Sequence, residues 1–296
     1  MNPMSSAKQR HLTRQAHETT GARMAGFSVI ELMVAIGITA ALLLGIVQVF
    51  NSAKASYSVQ TGLARAQESA RYATSFMQRH LREAGYYPFA QTTNPNINMG
   101  WTLLPSQVPA PVSSLLSSEG GGTASDSITV NYFSERDCFD QLNANTMTIA
   151  IPGIPATTAP NLWHKQVTFS HDAVNNRLIY TCAYGQPTPA GTPPVQINAQ
   201  PMIDGVYTLQ FLYGPDIDND GSPNHYVDAN TVPAAGGFAA VVSVQIGLIT
   251  GMTQPVSTLP VDANPINLFG TNFPATNLNL IRRGVITTVQ LRNLTI

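Results

Sequence analysis

One stretch constrains this 296-residue chain more than any other. From Phe27 to Phe50 almost every residue is apolar, and Glu31 is the only charge. About 24 residues in a helix span roughly 36 Å, enough to cross a bilayer. No proline occurs between Phe27 and Tyr87, so nothing forces the helix to stop where the apolar stretch ends. Past it the pattern turns amphipathic: Leu63, Ala66, Ala70, Ala73, Met77, Leu81 and Ala84 recur at steps of three and four, with Phe76 beside them. Arg65, Glu68, Arg71, Arg79 and Arg82 take the other face, and Gly85 followed by Pro88 is a stop signal. The reading is one helix of about 58 residues. Its first part faces lipid or other helices, and its second carries a stripe for the domain that follows.

Residues 1–26 are polar and basic, with Lys8, Arg10, Arg14 and Arg23 against Glu18 alone. Positive residues before an apolar span keep the leader cytoplasmic and send the rest outward. An ordinary signal peptide ends in an A-x-A-like site after its apolar stretch. Here no such site follows, and the small residue, Gly26, stands before the stretch. A cut after Gly26 would remove the leader and keep the helix. Glu31 is costly in a membrane, about 2.5 kcal/mol or more at its centre. It either snorkels to the headgroups or meets a counter-charge, such as the new amine on Phe27 of a neighbouring copy.

The run Gly26-Phe-Ser-Val-Ile-Glu-Leu-Met-Val-Ala-Ile36 resembles the class III signal of type IV prepilins and type II secretion pseudopilins. That resemblance implies cleavage by a prepilin peptidase between Gly26 and Phe27, N-methylation of Phe27, and a docking role in assembly for Glu31. The leader is long for the family; a start at Met4 would leave the mature protein unchanged.

The fold class expected is α+β, a pilin fold with the long helix packed on an antiparallel β-sheet head. The chain divides into a cleaved leader (1–26), a membrane or filament-core segment (27–50), an amphipathic continuation (51–86) and a β-rich head (87–296). Residues 89–125, rich in Pro, Ser, Asn and Gly, read as a long surface loop. Strand-like runs follow at 127–133, 147–151, 166–170, 178–183, 205–213, 239–250 and 284–292, with Asn175-Asn176 as a tight turn.

Blocks scattered through the chain narrow the resemblance. They include Gln67-Glu-Ser-Ala-Arg-Tyr72, Leu81-Arg-Glu-Ala-Gly-Tyr86, Gly205-Val-Tyr-Thr-Leu-Gln-Phe-Leu-Tyr-Gly214, Val242-Ser-Val-Gln-Ile246 and Thr288-Val-Gln-Leu-Arg-Asn293. Together they are similar to the PilW family of minor pilins, whose near relative is the J-type minor pseudopilin of type II secretion. The resemblance implies a role in pilus initiation and assembly, near the tip. It also implies partners among other minor pilins (PilV, PilX and FimU types), a PilY-type tip protein and the major pilin. The chain would sit in the inner membrane with its head in the periplasm before assembly, and in the pilus afterwards.

Only 10% of residues are charged and the net charge is −1, which gives no basis for nucleic-acid binding. Cys138 and Cys182 form no CxxC pair and no zinc pattern with histidine. In a reducing compartment they would be unrelated thiols; after export, a single disulfide is expected. No catalytic motif is present, and His80, His164, His171 and His225 are scattered packing or surface residues. The reading is that the chain is not an enzyme. Asp216-x-Asp218-x-Asp220-Gly221, with Asn224 and Asp228 downstream, is the one candidate ligand site. Alternating carboxylates can wrap a hard cation such as Ca2+. Val227 stands where an EF-hand needs its bidentate Glu, so the loop is not an EF-hand. The alternative is an Asp/Asn/Gly-rich turn with solvated carboxylates.

Overall fold

The structure is a computed structural model, and it describes residues 26–86, 115–142, 146–149, 157–160, 162–185, 195–196, 199–232, 237–257, 259–276 and 278–292. The leader up to residue 25, the segment 87–114 and the end of the 147–151 run lie outside these. The chain forms two compact units, dividing after Ala53.

Helix α1, Val29–Glu83, runs through that division. It opens with the Leu32 amide donating to the Ser28 carbonyl at 3.1 Å. In the first unit its apolar side chains, from Val29 to Phe50, are exposed. In the second unit the stripe read from sequence points inward: Ala66, Ala70, Ala73, Met77, Leu81 and Ala84 are buried. The helix ends as Gly85 takes φ 69°, a conformation glycine adopts without steric cost, and its amide reaches the Asn131 carbonyl at 2.9 Å. The fold is therefore α+β, one long N-terminal helix with antiparallel sheets.

The larger sheet orders β1 (Leu115–Ser118), β2 (Ser127–Ser134), β5 (Trp163–Asp172), β6 (Arg177–Gly185) and β7 (Val195–Gln196), with β8 (Gln200–Asp204) also paired to β6. β3 (Thr146–Ile149) and β4 (Thr157–Pro160) form a separate hairpin. A three-stranded sheet follows in the order β13-β10-β9, from β9 (Val206–Pro215), β10 (Val241–Gly251) and β13 (Arg282–Gln290). β11 (Ile266–Leu268) and β12 (Thr271–Phe273) make a short hairpin. The core gathers Met77 and Leu81 of α1, Val167 and Phe169 of β5, Leu209, Phe211 and Tyr213 of β9, and Val244, Ile246 and Leu248 of β10.

The stretch 89–125, expected as one long loop, contains β1. Leu115 is fully buried against the core and the strand pairs with β2 from Leu115↔Val130 to Ser118↔Ser127. Gly121 and Gly122, both at positive φ, make the return turn. The Asn175-Asn176 turn is present, with Asn176 at φ 51° and the Asp172 carboxylate accepting the Val174 and Asn175 amides at 3.0 and 3.2 Å.

Candidate functional site

Gly26, Phe27 and Ser28 precede α1 without helical structure, so the Gly26–Phe27 bond stands clear of the helix. Phe27 is 86% exposed. Glu31 lies in the first turn, where the unpaired amides of a helix N-terminus favour an anion. α1 is long and apolar enough to cross a membrane, and its apolar window has no cover among the described residues.

The acidic loop grows from the end of β9. The Asp216 amide donates to the Ala240 carbonyl at 2.8 Å, and the Asn224 amide returns to the Pro215 carbonyl at 3.0 Å. Asp216 is buried and its carboxylate accepts the Asp220 and Gly221 amides at 3.2 and 2.8 Å. Burial works to raise its pKa, but these amide bonds outweigh it and hold the carboxyl below the ordinary value. One carboxylate oxygen each from Asp216, Asp218 and Asp220 lies within 4.8 Å of the others, a spacing that suits an oxygen-liganded cation. Asp228 does not join that group. The Asn224 side chain accepts the Ile217 amide at 2.7 Å. Asp228 caps the next turn, accepting the Thr231 amide and hydroxyl at 2.8 and 2.7 Å.

Cys138 and Cys182 are bonded, with Cα atoms 6.0 Å apart. The bond ties a short surface turn to β6. The Asp137 carboxylate supports that turn, accepting the Phe139 and Gln141 amides at 2.8 and 2.9 Å.

His80, His164 and His171 hold structure, whereas His225 is exposed. His80 is buried among Phe76, Phe169 and Tyr180, and its Nδ1 lies 2.9 Å from the Tyr132 hydroxyl. His164 is buried and stacks on Phe133. His171 forms a contact that sequence reasoning missed: its Nδ1 lies 2.8 Å from Ser125 Oγ, and its Nε2 lies 2.8 Å from the Val206 carbonyl. A carbonyl only accepts, so Nε2–H donates to it and Nδ1 accepts the hydrogen bond of the Ser125 hydroxyl. The Ser125 oxygen also accepts the Leu209 amide at 3.2 Å. This hydroxyl is thus committed on both sides, and Ser125-His171 works as a stitch between the β1–β2 turn, β5 and β9. Burial lowers the His164 and His171 pKa values, which favours the neutral rings. No sequence signal links Ser125 to a histidine 46 residues on; only strand register brings them together.

The long α1 helix and the antiparallel sheets make this an α+β chain. Residues 156–293 match the family model described as PilW, Type IV Pilus-assembly protein W. That segment runs from β4 to just past β13, and over it the chain is similar to the PilW family. A type IV-like pilin from Thermus thermophilus is a structural neighbour at 13% identity and a TM-score of 0.44, covering 78% of this chain and 98% of that one. No curated protein matches the sequence.

Proposed function

We propose that this protein is a minor pilin of a type IV pilus, acting in pilus initiation and assembly near the tip. One conjunction carries the reading: a PilW-family head segment on a chain whose α1 begins with uncovered apolar side chains directly after Gly26-Phe27, with Glu31 in the first turn. The precursor sits in the inner membrane with its head in the periplasm. Prepilin peptidase removes residues 1–26 and methylates the amine of Phe27. In the filament, α1 exchanges lipid for neighbouring helices, and Glu31 exchanges the desolvation cost of a lone carboxylate for the Phe27 amine of another copy. Other minor pilins, a PilY-type tip protein and the major pilin supply those neighbours. The Asp216-Asp218-Asp220 loop takes Ca2+ in a structural role, setting the shape of the head beside β9. The match of residues 156–293 to the PilW family model favours the pilus over the J-type pseudopilin of type II secretion.

The test is Glu31→Val. The substitution removes a charge from an apolar helix, so membrane levels hold or rise. The variant is expected in the inner membrane at wild-type amounts and absent from sheared filaments. Incorporation at the wild-type level would mean that Glu31 only reaches for the headgroups.

A further inference from the structure

The two edges of the three-stranded sheet are treated differently. At the β9 edge the outward backbone groups are closed one by one. The Leu209 carbonyl accepts the Asp126 amide at 2.8 Å, and the Leu209 amide goes to Ser125 Oγ. The Phe211 amide goes to the Asp126 carboxylate at 2.9 Å. Tyr213 exchanges both of its backbone bonds with Val227, at 2.8 and 2.9 Å.

The β13 edge has no such cover among the described residues. The Leu291 amide donates to the Val242 carbonyl at 2.8 Å, and the register runs from Ser243↔Gln290 to Gly251↔Arg282. Narrow pairs alternate in an antiparallel ladder, so Val289, Thr287, Val285 and Arg283 bond toward β10. Gly284, Ile286, Thr288 and Gln290 therefore turn their amides and carbonyls outward. Their side chains are exposed as well, Ile286 by 51%. The strand has no proline and no bulge against β10. An open edge of this kind is a template for an added strand.

The charge pattern selects what can be added. Between Leu280 and Arg292 there is no acid, while Arg282, Arg283 and Arg292 stand at the two ends. Arg282 is held by Asp262 at 2.7 Å, and Arg283 and Arg292 are exposed. Antiparallel pairing of two β13 edges would set Arg282-Arg283 of each copy beside Arg292 of the other, like charges at both ends. A strand with acidic residues near its ends and apolar or threonine-like residues opposite Ile286 and Thr288 meets no such penalty.

We propose that the outer edge of β13 is a strand-addition site for an extended, acid-flanked segment of a different protein. The inference rests on the filament reading only for where that protein is sought. Main-chain bonds to Ile286, Thr288 and Gln290 supply the affinity, and the arginines set the register and reject self-pairing.

The experiment uses the full chain in its own cell, with a benzophenone amino acid at Gln290 and irradiation of cells bearing filaments. The expected product joins position 290 to an acid-flanked extended segment of another pilus component, mapped by peptide mass spectrometry. Thr288→Pro removes an amide that bonds nothing among the described residues and blocks strand addition, so the melting temperature holds while the product falls at least tenfold. Arg283→Glu makes the edge self-complementary and is expected to raise crosslinking between copies. A product unchanged by Thr288→Pro, a wild-type product joining two copies of β13, or no product would each overturn the proposal. Absence of the wild-type chain from filaments counts instead against the filament reading, and the crosslink still decides the edge.

Discussion

His80 Nδ1 and the Tyr132 hydroxyl lie 2.9 Å apart, and this bond ties α1 to β2 inside an aromatic box. Burial, with Lys165 and Arg79 adding to it, lowers the His80 pKa from 6.5 to about 3. The Glu83 carboxylate, 4.0 Å from Nδ1, is the nearest opposing charge. A histidine depressed in the fold binds fewer protons there than in the unfolded chain. Stability is therefore full above pH 6.5 and falls as the pH drops toward 3, by about 1.4 kcal/mol per pH unit. His80→Gln should flatten the melting temperature against pH between 6.5 and 4. His164 and His171, shifted in the same direction, leave a residual slope. An unchanged slope would show that His80 does not titrate as its surroundings dictate.

The Cys138–Cys182 bond spans 44 residues of sequence. In the chain-entropy model, closing such a loop contributes about 4 kcal/mol. Replacing both cysteines by serine should lower the urea midpoint accordingly and make it insensitive to reductant. Equal midpoints for the oxidised wild type and the double variant would contradict this.

Met77 is fully buried on the inward stripe of α1. Met77→Ala should destabilise the head by about 2–5 kcal/mol through lost contacts and a cavity. Tyr57→Ala, at an exposed position of the same helix, should change stability by less than about 0.5 kcal/mol. Denaturant titration of both variants checks the assignment of the two faces.

The helix and its stripe were legible because a proline-free run with three-and-four spacing has no competing reading, and burial of Ala66 through Ala84 follows it. β9 and β10 were legible as long apolar runs, and a chain with two cysteines has only one internal pairing. β1 was not legible: four residues in a Ser- and Gly-rich stretch form a strand only because β2 lies beside them. The carboxylate cluster was legible in part. Asp216, Asp218 and Asp220 are held together by one tight turn, whereas local capping draws Asp228 to the nearer Thr231 amide. Ser125 and His171 depend on tertiary register, which no local pattern encodes.

Calcium should raise the melting temperature of the head, and chelator should reverse the change. At ten times the dissociation constant the gain is about 1.4 kcal/mol. Asp218→Asn with Asp220→Asn should abolish the shift while leaving the amide bonds to Asp216 in place. An unchanged midpoint at millimolar calcium would leave the segment an acidic turn.

Processing as a pilin is read from the intact mass and N-terminal peptide of the protein from native membranes and filaments. The wild type is expected to begin at N-methylated Phe27, and Gly26→Val to leave a full-length precursor in the membrane. A wild-type chain that keeps residues 1–26, or a Gly26→Val chain that still begins at Phe27, would contradict that processing.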